Sequence, residues 1–169
     1  MSETKDYKFY MDNGVVNYRD GQYQKAIENI DKSLEMKNDW AIPYFYKGAC
    51  CDALEKTDEA IENYSKAIDY DSDMTDAYYN RAKLILSQKT TTKEKINGAL
   101  KDLEKALELD PKFQDAIFAI AAAYKKLKQY HKSLEYLEKL LEINPEHLYG
   151  KALQTLILEK YMVKEDKKD

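Results

Sequence analysis

The chain has 169 residues, 44% hydrophobic and 34% charged, with a formal net charge of −4 at pH 7, enough apolar content to bury a continuous core without metals or disulfides. An acidic balance argues against sequence-independent nucleic-acid binding, which draws on a surplus of Lys and Arg. No apolar run approaches the ~20 residues of a membrane-crossing helix, and the opening MSETKD has no signal-peptide core, so a cytoplasmic protein is expected.

Along the chain the pattern returns every 34 residues, as in Tyr10, Tyr44 and Tyr78, in Gly14 and Gly48, and in the runs Ala26-Ile27-Glu28-Asn29 and Ala60-Ile61-Glu62-Asn63. A period of that length holds one helical hairpin. After an N-terminal extension over 1–6, the first unit spans 7–40. Gly14 is its small helix-contact residue, Gly21 its turn, and Ala26, Ile30 and Leu34 the packed face of its second helix. The second unit, 41–74, repeats this with Tyr44, Gly48, Ala60, Tyr64 and Ala67, but its turn has no glycine. The third unit, 75–113, carries Tyr78, Ala82, Ala99, Leu103, Ala106 and Pro111. From Ala82 to Ala99 is 17 residues where Gly48 to Ala60 is 12, so five residues are inserted within 87–98. There Thr91-Thr92-Lys93-Glu94 fits a capping box opened by Thr91, which predicts a second helix lengthened to about Thr92–Leu109; a tolerated surface loop is the alternative. The fourth unit, 114–147, has Ala121, Tyr124, Tyr130, Leu137, Leu140 and Pro145, with Ser133 where the pattern places an alanine. In it Ala116, Ile117, Ile120, Ala121 and Tyr124 follow the i, i+3, i+4 rule of a helix face. Residues 148–163 read as a capping helix with Tyr149, Ala152, Leu153, Leu156, Ile157 and Met162 inward and Lys151, Gln154, Glu159 and Lys160 in water. The last six residues, 164–169, read as a disordered, solvated tail.

The residues that carry the period resemble the tetratricopeptide repeat over almost the whole chain. That resemblance implies an all-α fold, a right-handed superhelical α-solenoid of helix-turn-helix hairpins, here four repeats and a C-terminal capping helix. It further implies a non-enzymatic scaffold or adaptor without a cofactor, in which the first helix of each hairpin lines a concave channel. By that register the channel residues are Met11, Val15, Tyr18 and Arg19; Phe45, Tyr46 and Ala49; Tyr79, Asn80 and Lys83; and Phe118, Ala122 and Lys125. Tyr10, Tyr44 and Tyr78 belong to the interior.

Met11, Phe45, Tyr79 and Phe118 lie one residue past the packed position, about 100° round the helix, and an uncovered aromatic row marks a binding face. The expectation is a groove that binds a peptide or helix of a partner protein through apolar anchors. Alternatively the rings close the groove against one another or against the C-terminal helix. A homo-oligomer formed through the terminal helix and a small chaperone for a secreted substrate are the other readings. A carboxylate clamp, the subclass that holds acidic chaperone C-termini, is disfavoured. Asn80 fits one of its places, but Phe45, Ala49, Asp115 and Ala119 occupy the rest, and one unit earlier Met11, Val15, Tyr46 and Asp76 stand beside Asn80.

Catalysis finds no constellation. His131 and His147 lack metal-ligand spacing and read as surface residues, and the five glycines are too scattered for a phosphate loop. Cys50 and Cys51 are adjacent, about 100° apart on a helix, and read as small core residues in a reducing compartment.

Overall fold

Apolar residues three and four apart make each segment one-sided, and the computed structural model folds them into nine α-helices among the described residues, 6–162, with no strand. They are α1 (Tyr7–Arg19), α2 (Tyr23–Met36), α3 (Ala41–Ala53), α4 (Thr57–Tyr70), α5 (Thr75–Ser87), α6 (Lys93–Leu109), α7 (Gln114–Lys126), α8 (Tyr130–Ile143) and α9 (Leu148–Ile157), followed by a π-helical turn, Leu158–Met162. The expected tail, residues 1–5 of the extension and the Met162 side chain lie outside what is described. The chain divides into two compact units between Leu84 and Ile85, within α5.

In the first unit α1 pairs with α2 and α3 with α4. Glycine permits the close approach: a Cβ on Gly14 would stand 2.8 Å from Ile30 Cγ1, and one on Gly48 would stand 3.0 Å from the Tyr64 ring. Ile30, Tyr64, Ala26, Ala60, Ala67, Cys50 and Cys51 are fully or almost fully buried around these contacts. Both cysteines are free. Burial, with Cys51 alongside, pushes the Cys50 thiol up from 9.0 to about 12. The tyrosines expected inside sit at the rim, half-buried. Tyr44 stacks on Tyr70 at 5.3 Å and its hydroxyl donates to the Asn38 carbonyl, with Lys66 Nζ 5.9 Å from its ring. Lys32 stands similarly, 5.7 Å from Tyr10. A phenol keeps its polar end in water and its ring on the core, which is why the 34-residue tyrosines stop short of the interior.

Each hairpin turn of α1–α2, α3–α4 and α7–α8 is closed by the same pair of bonds. Gly21, Glu55 and Lys128 take left-handed backbone, with φ of 72°, 59° and 60°. The next amide reaches back five residues: Gln22 to Asn17, Lys56 to Cys51, Gln129 to Tyr124. This is the Schellman stop, formed in two of the three cases without glycine.

The second unit holds α6 to α9 and the last turn of α5. Its core joins Ile117 and Ala121 of α7, Leu137 and Leu140 of α8, and Ile157 of α9. Ser133, in place of the expected alanine, is fully buried and donates to the Ala121 carbonyl at 2.7 Å. The insertion lengthens both parts of its hairpin. Helix α6 has 17 residues against 14 in α2, α4 and α8, and the remaining two inserted residues extend the loop to 88–92. The cap is shifted by one from expectation, which leaves Glu94 two residues after it and Lys95 in the third place that a capping box gives to Glu. Thr92 caps α6, accepting from Lys95 N, because the Thr91 hydroxyl is taken up 2.8 Å from the Ile85 carbonyl and 2.7 Å from that of Gln88. Hydrogen bonds to its own backbone amide and to Thr92 hold the Glu94 carboxyl below the usual range.

Helix α9 is also turned from expectation. Gly150, Leu153 and Ile157 face the core, and a Cβ on Gly150 would stand 3.1 Å from Leu140 Cδ2. Tyr149, Ala152 and Leu156, expected inward, are exposed, and Gln154, expected in water, is half-buried. The close approach needs the residue without a side chain, and it rotates the helix one position. The wider π turn that follows stacks Tyr161 on Tyr130 at 4.5 Å.

Candidate functional site

The first helices of the two hairpins in the first unit, with the start of α5, enclose an open cavity of about 590 Å³. Tyr7, Lys8, Met11, Asp12 and Val15 line it from α1, Trp40, Ile42, Phe45 and Tyr46 from the start of α3, and Met74 and Asp76 from the start of α5. On α1 these positions are one, three or four residues apart, which is one helix face. The wall is braced by rings. Tyr7 meets Trp40 edge-on at 5.5 Å, the Trp40 indole N–H donates to the Lys37 carbonyl at 3.1 Å, and Phe45 packs against Tyr46 and Tyr64 at 5.6 and 5.8 Å. Ile42, 45% exposed, is an apolar side chain at the mouth.

Four of the expected channel residues therefore meet here: Met11, Val15, Phe45 and Tyr46. Met11 is not the uncovered anchor expected of it. At 4% exposure it is part of the core, since its flexible thioether fills the gap beneath the rings. Tyr18 stands beside the lining, edge-on to Tyr46 at 5.5 Å, its hydroxyl pushed up by burial. Arg19 is exposed in the last turn of α1, where a cation suits the helix dipole, and Ala49 is half-buried on α3. Tyr79 and Asn80 are half-buried on α5 and Lys83 is exposed, outside the lining. Lys83 Nζ lies 3.1 Å from Asp52.

Phe118, Ala122 and Lys125 are half-buried on α7 of the second unit. Phe118 is covered by its own chain, with the His147 ring at 5.6 Å and Tyr149 at 6.4 Å. His147, read from sequence as an ordinary surface residue, caps α9: its Nδ1 accepts from Gly150 N at 3.0 Å. His131 is exposed.

Residues missed by sequence reasoning carried a usable signal. Lys8, Ile42 and Asp76 are spaced by the repeat itself, one turn before Met11, Phe45 and Tyr79, and all three line the cavity. Trp40 and Met74 share that spacing, immediately before their helices. Extending the face by one turn toward the helix start would have found them.

Among the described residues no group of three His, Cys, Asp or Glu is placed to hold a metal ion, and no helix is long and apolar enough to cross a membrane.

A family profile described as TPR repeat matches residues 53–89, and one described as Tetratricopeptide repeat matches 91–157. A TPR repeat-containing protein of Methanocaldococcus jannaschii is 26% identical over 88% of this chain and 25% of its own length. Human tetratricopeptide repeat protein 12 is 38% identical over 51% of this chain and 12% of its own length. The chain thus spans a quarter or less of these relatives. A solved structure of MamA from Desulfovibrio magneticus RS-1 superposes with a TM-score of 0.82 over 95% of this chain and 85% of its own, at 19% identity. One of Pseudomonas aeruginosa PilF gives 0.75 over 95% and 69%, at 20% identity. Likeness at such low identity concerns the fold, an α-solenoid of helical hairpins.

Proposed function

The chain belongs to the tetratricopeptide repeat family, and on that premise we propose that it is a non-enzymatic, cytoplasmic adaptor whose first unit holds a segment of a partner protein. The observation that carries this reading is the cavity lined by Val15, Trp40, Ile42, Phe45, Tyr46 and Met74, apolar walls left open on the face made by first helices. Burying a large apolar side chain there is worth roughly 1.5 to 3 kcal/mol. Three such anchors sustain a micromolar complex after ordering costs of several kcal/mol. Tyr79, Asn80 and Lys83 on α5 remain in this proposal as further contacts of the partner segment, and Ala122 and Lys125 on α7 as contacts that the second unit offers by itself, where Phe118 is covered by His147 and Tyr149.

Ile42→Lys tests the reading, because Ile42 is exposed and its replacement blocks the mouth without opening the core. A partner captured by the native protein and rebuilt from purified components should lose binding to Ile42→Lys and to Phe45→Ala, with helical circular dichroism unchanged. Undiminished binding to Ile42→Lys refutes the cavity as the docking site.

A second reading draws on α9. Leu148 and Tyr149 are 76% and 75% exposed, in a row with Ala152 and Leu156, a face suited to self-association through the terminal helix. Light scattering of Tyr149→Glu against the native chain across concentration tests it: equal masses at every concentration exclude it.

A further inference from the structure

We propose that the occupant of the first-unit cavity is a basic segment of another protein, one that sets a Lys or Arg beside its apolar anchors; this rests on the cavity being the docking site. The charges at the lining are Lys8, Asp12 and Asp76. Both carboxylates are exposed, and among the described residues neither has an ion pair or a side-chain hydrogen bond. Asp76 lies in the first turn of α5, where the helix dipole accounts for an acidic residue. Asp12 has no such account. It sits within α1, one turn after Lys8, and no ion pair joins them. Lys8 instead stands 6.0 Å from the Tyr7 ring centroid.

An incoming acidic segment meets two carboxylates against one ammonium; an incoming cation finds two acceptors. An Arg or Lys also lays its aliphatic stem on Tyr46 or Ile42 while its head reaches water. The cavity's 590 Å³ falls among ligand pockets of about 300 to 1,000 Å³, room for more than one apolar side chain beside that stem. A second copy of this chain is the poorer fit, because each copy carries a net charge of −4. The recognition is opposite in sign to that of a carboxylate clamp.

Panning a displayed library of random twelve-residue peptides on the native chain, with counter-selection on Ile42→Lys, gives the probe. The enriched peptides should carry two or more apolar residues with Lys or Arg within two positions of one of them. The synthetic form of the leading peptide should bind about two- to fivefold more weakly to Asp12→Asn and to Asp76→Asn. Its Gln-for-Lys analogue should lose as much on the native chain and show no further loss on Asp12→Asn. The thermal melt of Asp12→Asn should match the native chain, since the site is exposed, and that of Asp76→Asn should fall only slightly, through the lost charge at the start of α5.

Acidic or uncharged peptides that depend on Ile42 would leave the docking reading standing and overturn the basic occupant. Peptides that bind Ile42→Lys equally, or no enrichment at all, overturn both. A dimer in sedimentation that Ile42→Lys abolishes gives the cavity to a second copy and overturns the proposal as well. Should Ile42→Lys melt early, Ile42→Ser replaces it in every arm.

Discussion

Phe45 and Phe118 hold the same place in their repeats, one position past the packed residue of a first helix, yet their surroundings differ. In the first unit Phe45 lines an open cavity with Tyr46 and Ile42. In the second, Phe118 lies under His147 and Tyr149, residues that open α9. Repeat position makes a ring available, and the element that follows decides whether it becomes a binding wall or part of a cap. The hairpin contacts differ too. The first unit uses Gly14 and Gly48 against bulky partners; the second uses Ala121, with Ser133 bonded to its carbonyl.

The largest expected effect tests that second contrast. Tyr64 is fully buried against Gly48, so Tyr64→Ala should cost about 3 to 5 kcal/mol in urea denaturation. Gly48→Ala should cost about 1 to 3 kcal/mol in the native chain, where the ring must move. In the Tyr64→Ala background it should turn neutral or stabilising by up to about 1 kcal/mol, as helix propensity takes over. If Gly48→Ala costs the same in both backgrounds, the ring is not what demands glycine.

Much of this fold was legible because repeat and helix periods constrain the same residues. Gly14, Gly48 and Ala121 identified close contacts, Ala82 a buried position, and Ala116, Ile117, Ile120 and Ala121 the buried face of α7. What escaped was rotation by a single position. At α9, Gly150 takes the contact and turns Tyr149 outward; at α6, Thr91 is diverted into the loop and Thr92 caps. Periodicity fixes a face only to within about 100° per residue, and the deciding contacts are made by other elements. The site was half legible for a related reason. Phe45 and Tyr46 stood out as aromatic, whereas Lys8, Ile42 and Asp76 share a position but no chemistry.

Uncovering Phe118 sharpens the first contrast. His147→Ala should cost about 1 kcal/mol through loss of the acceptor for Gly150 N, and adding Tyr149→Ala should expose Phe118 for about 1 to 2 kcal/mol in total. Hydrogen exchange at Gly150 and Lys151 should quicken in both, and His147→Asp, which restores an acceptor, should slow it again. Unchanged exchange in His147→Ala would show that the cap does not hold α9.

Alkaline pH separates the units because both cysteines lie in the first. The Cys50 thiol rises from 9.0 to about 12 on burial, and that of Cys51 also rises. Above pH 9 the unfolded chain releases these protons while the folded chain retains them, so stability is complete below that pH and falls as pH climbs toward 12. Tyrosines drawn partly or wholly out of water act alike in both units, the buried Tyr64 in the first and the half-buried Tyr124 and Tyr136 in the second, but from 10.0. Between pH 9 and 10 the first unit should therefore lose about 1 kcal/mol relative to the second, read by hydrogen exchange within each. Cys50→Ala with Cys51→Ala should remove that loss, and its persistence would assign it elsewhere.

The smallest effect falls equally on both units. Glu55 and Lys128 adopt the left-handed backbone that Gly21 adopts without strain, which costs a side chain roughly 1 to 2 kcal/mol. Glycine returns part of that gain through its larger entropy loss on folding. Glu55→Gly in the first unit and Lys128→Gly in the second should each stabilise by about 0.5 to 1 kcal/mol, and Gly21→Ala should destabilise by about 1 kcal/mol. Both Glu55 and Lys128 are exposed, and neither has a side-chain hydrogen bond among the described residues. A loss of stability on one change to glycine but not the other would mean that one side chain repays the strain, and that the turns, like the surroundings of Phe45 and Phe118, are not equivalent in the two units.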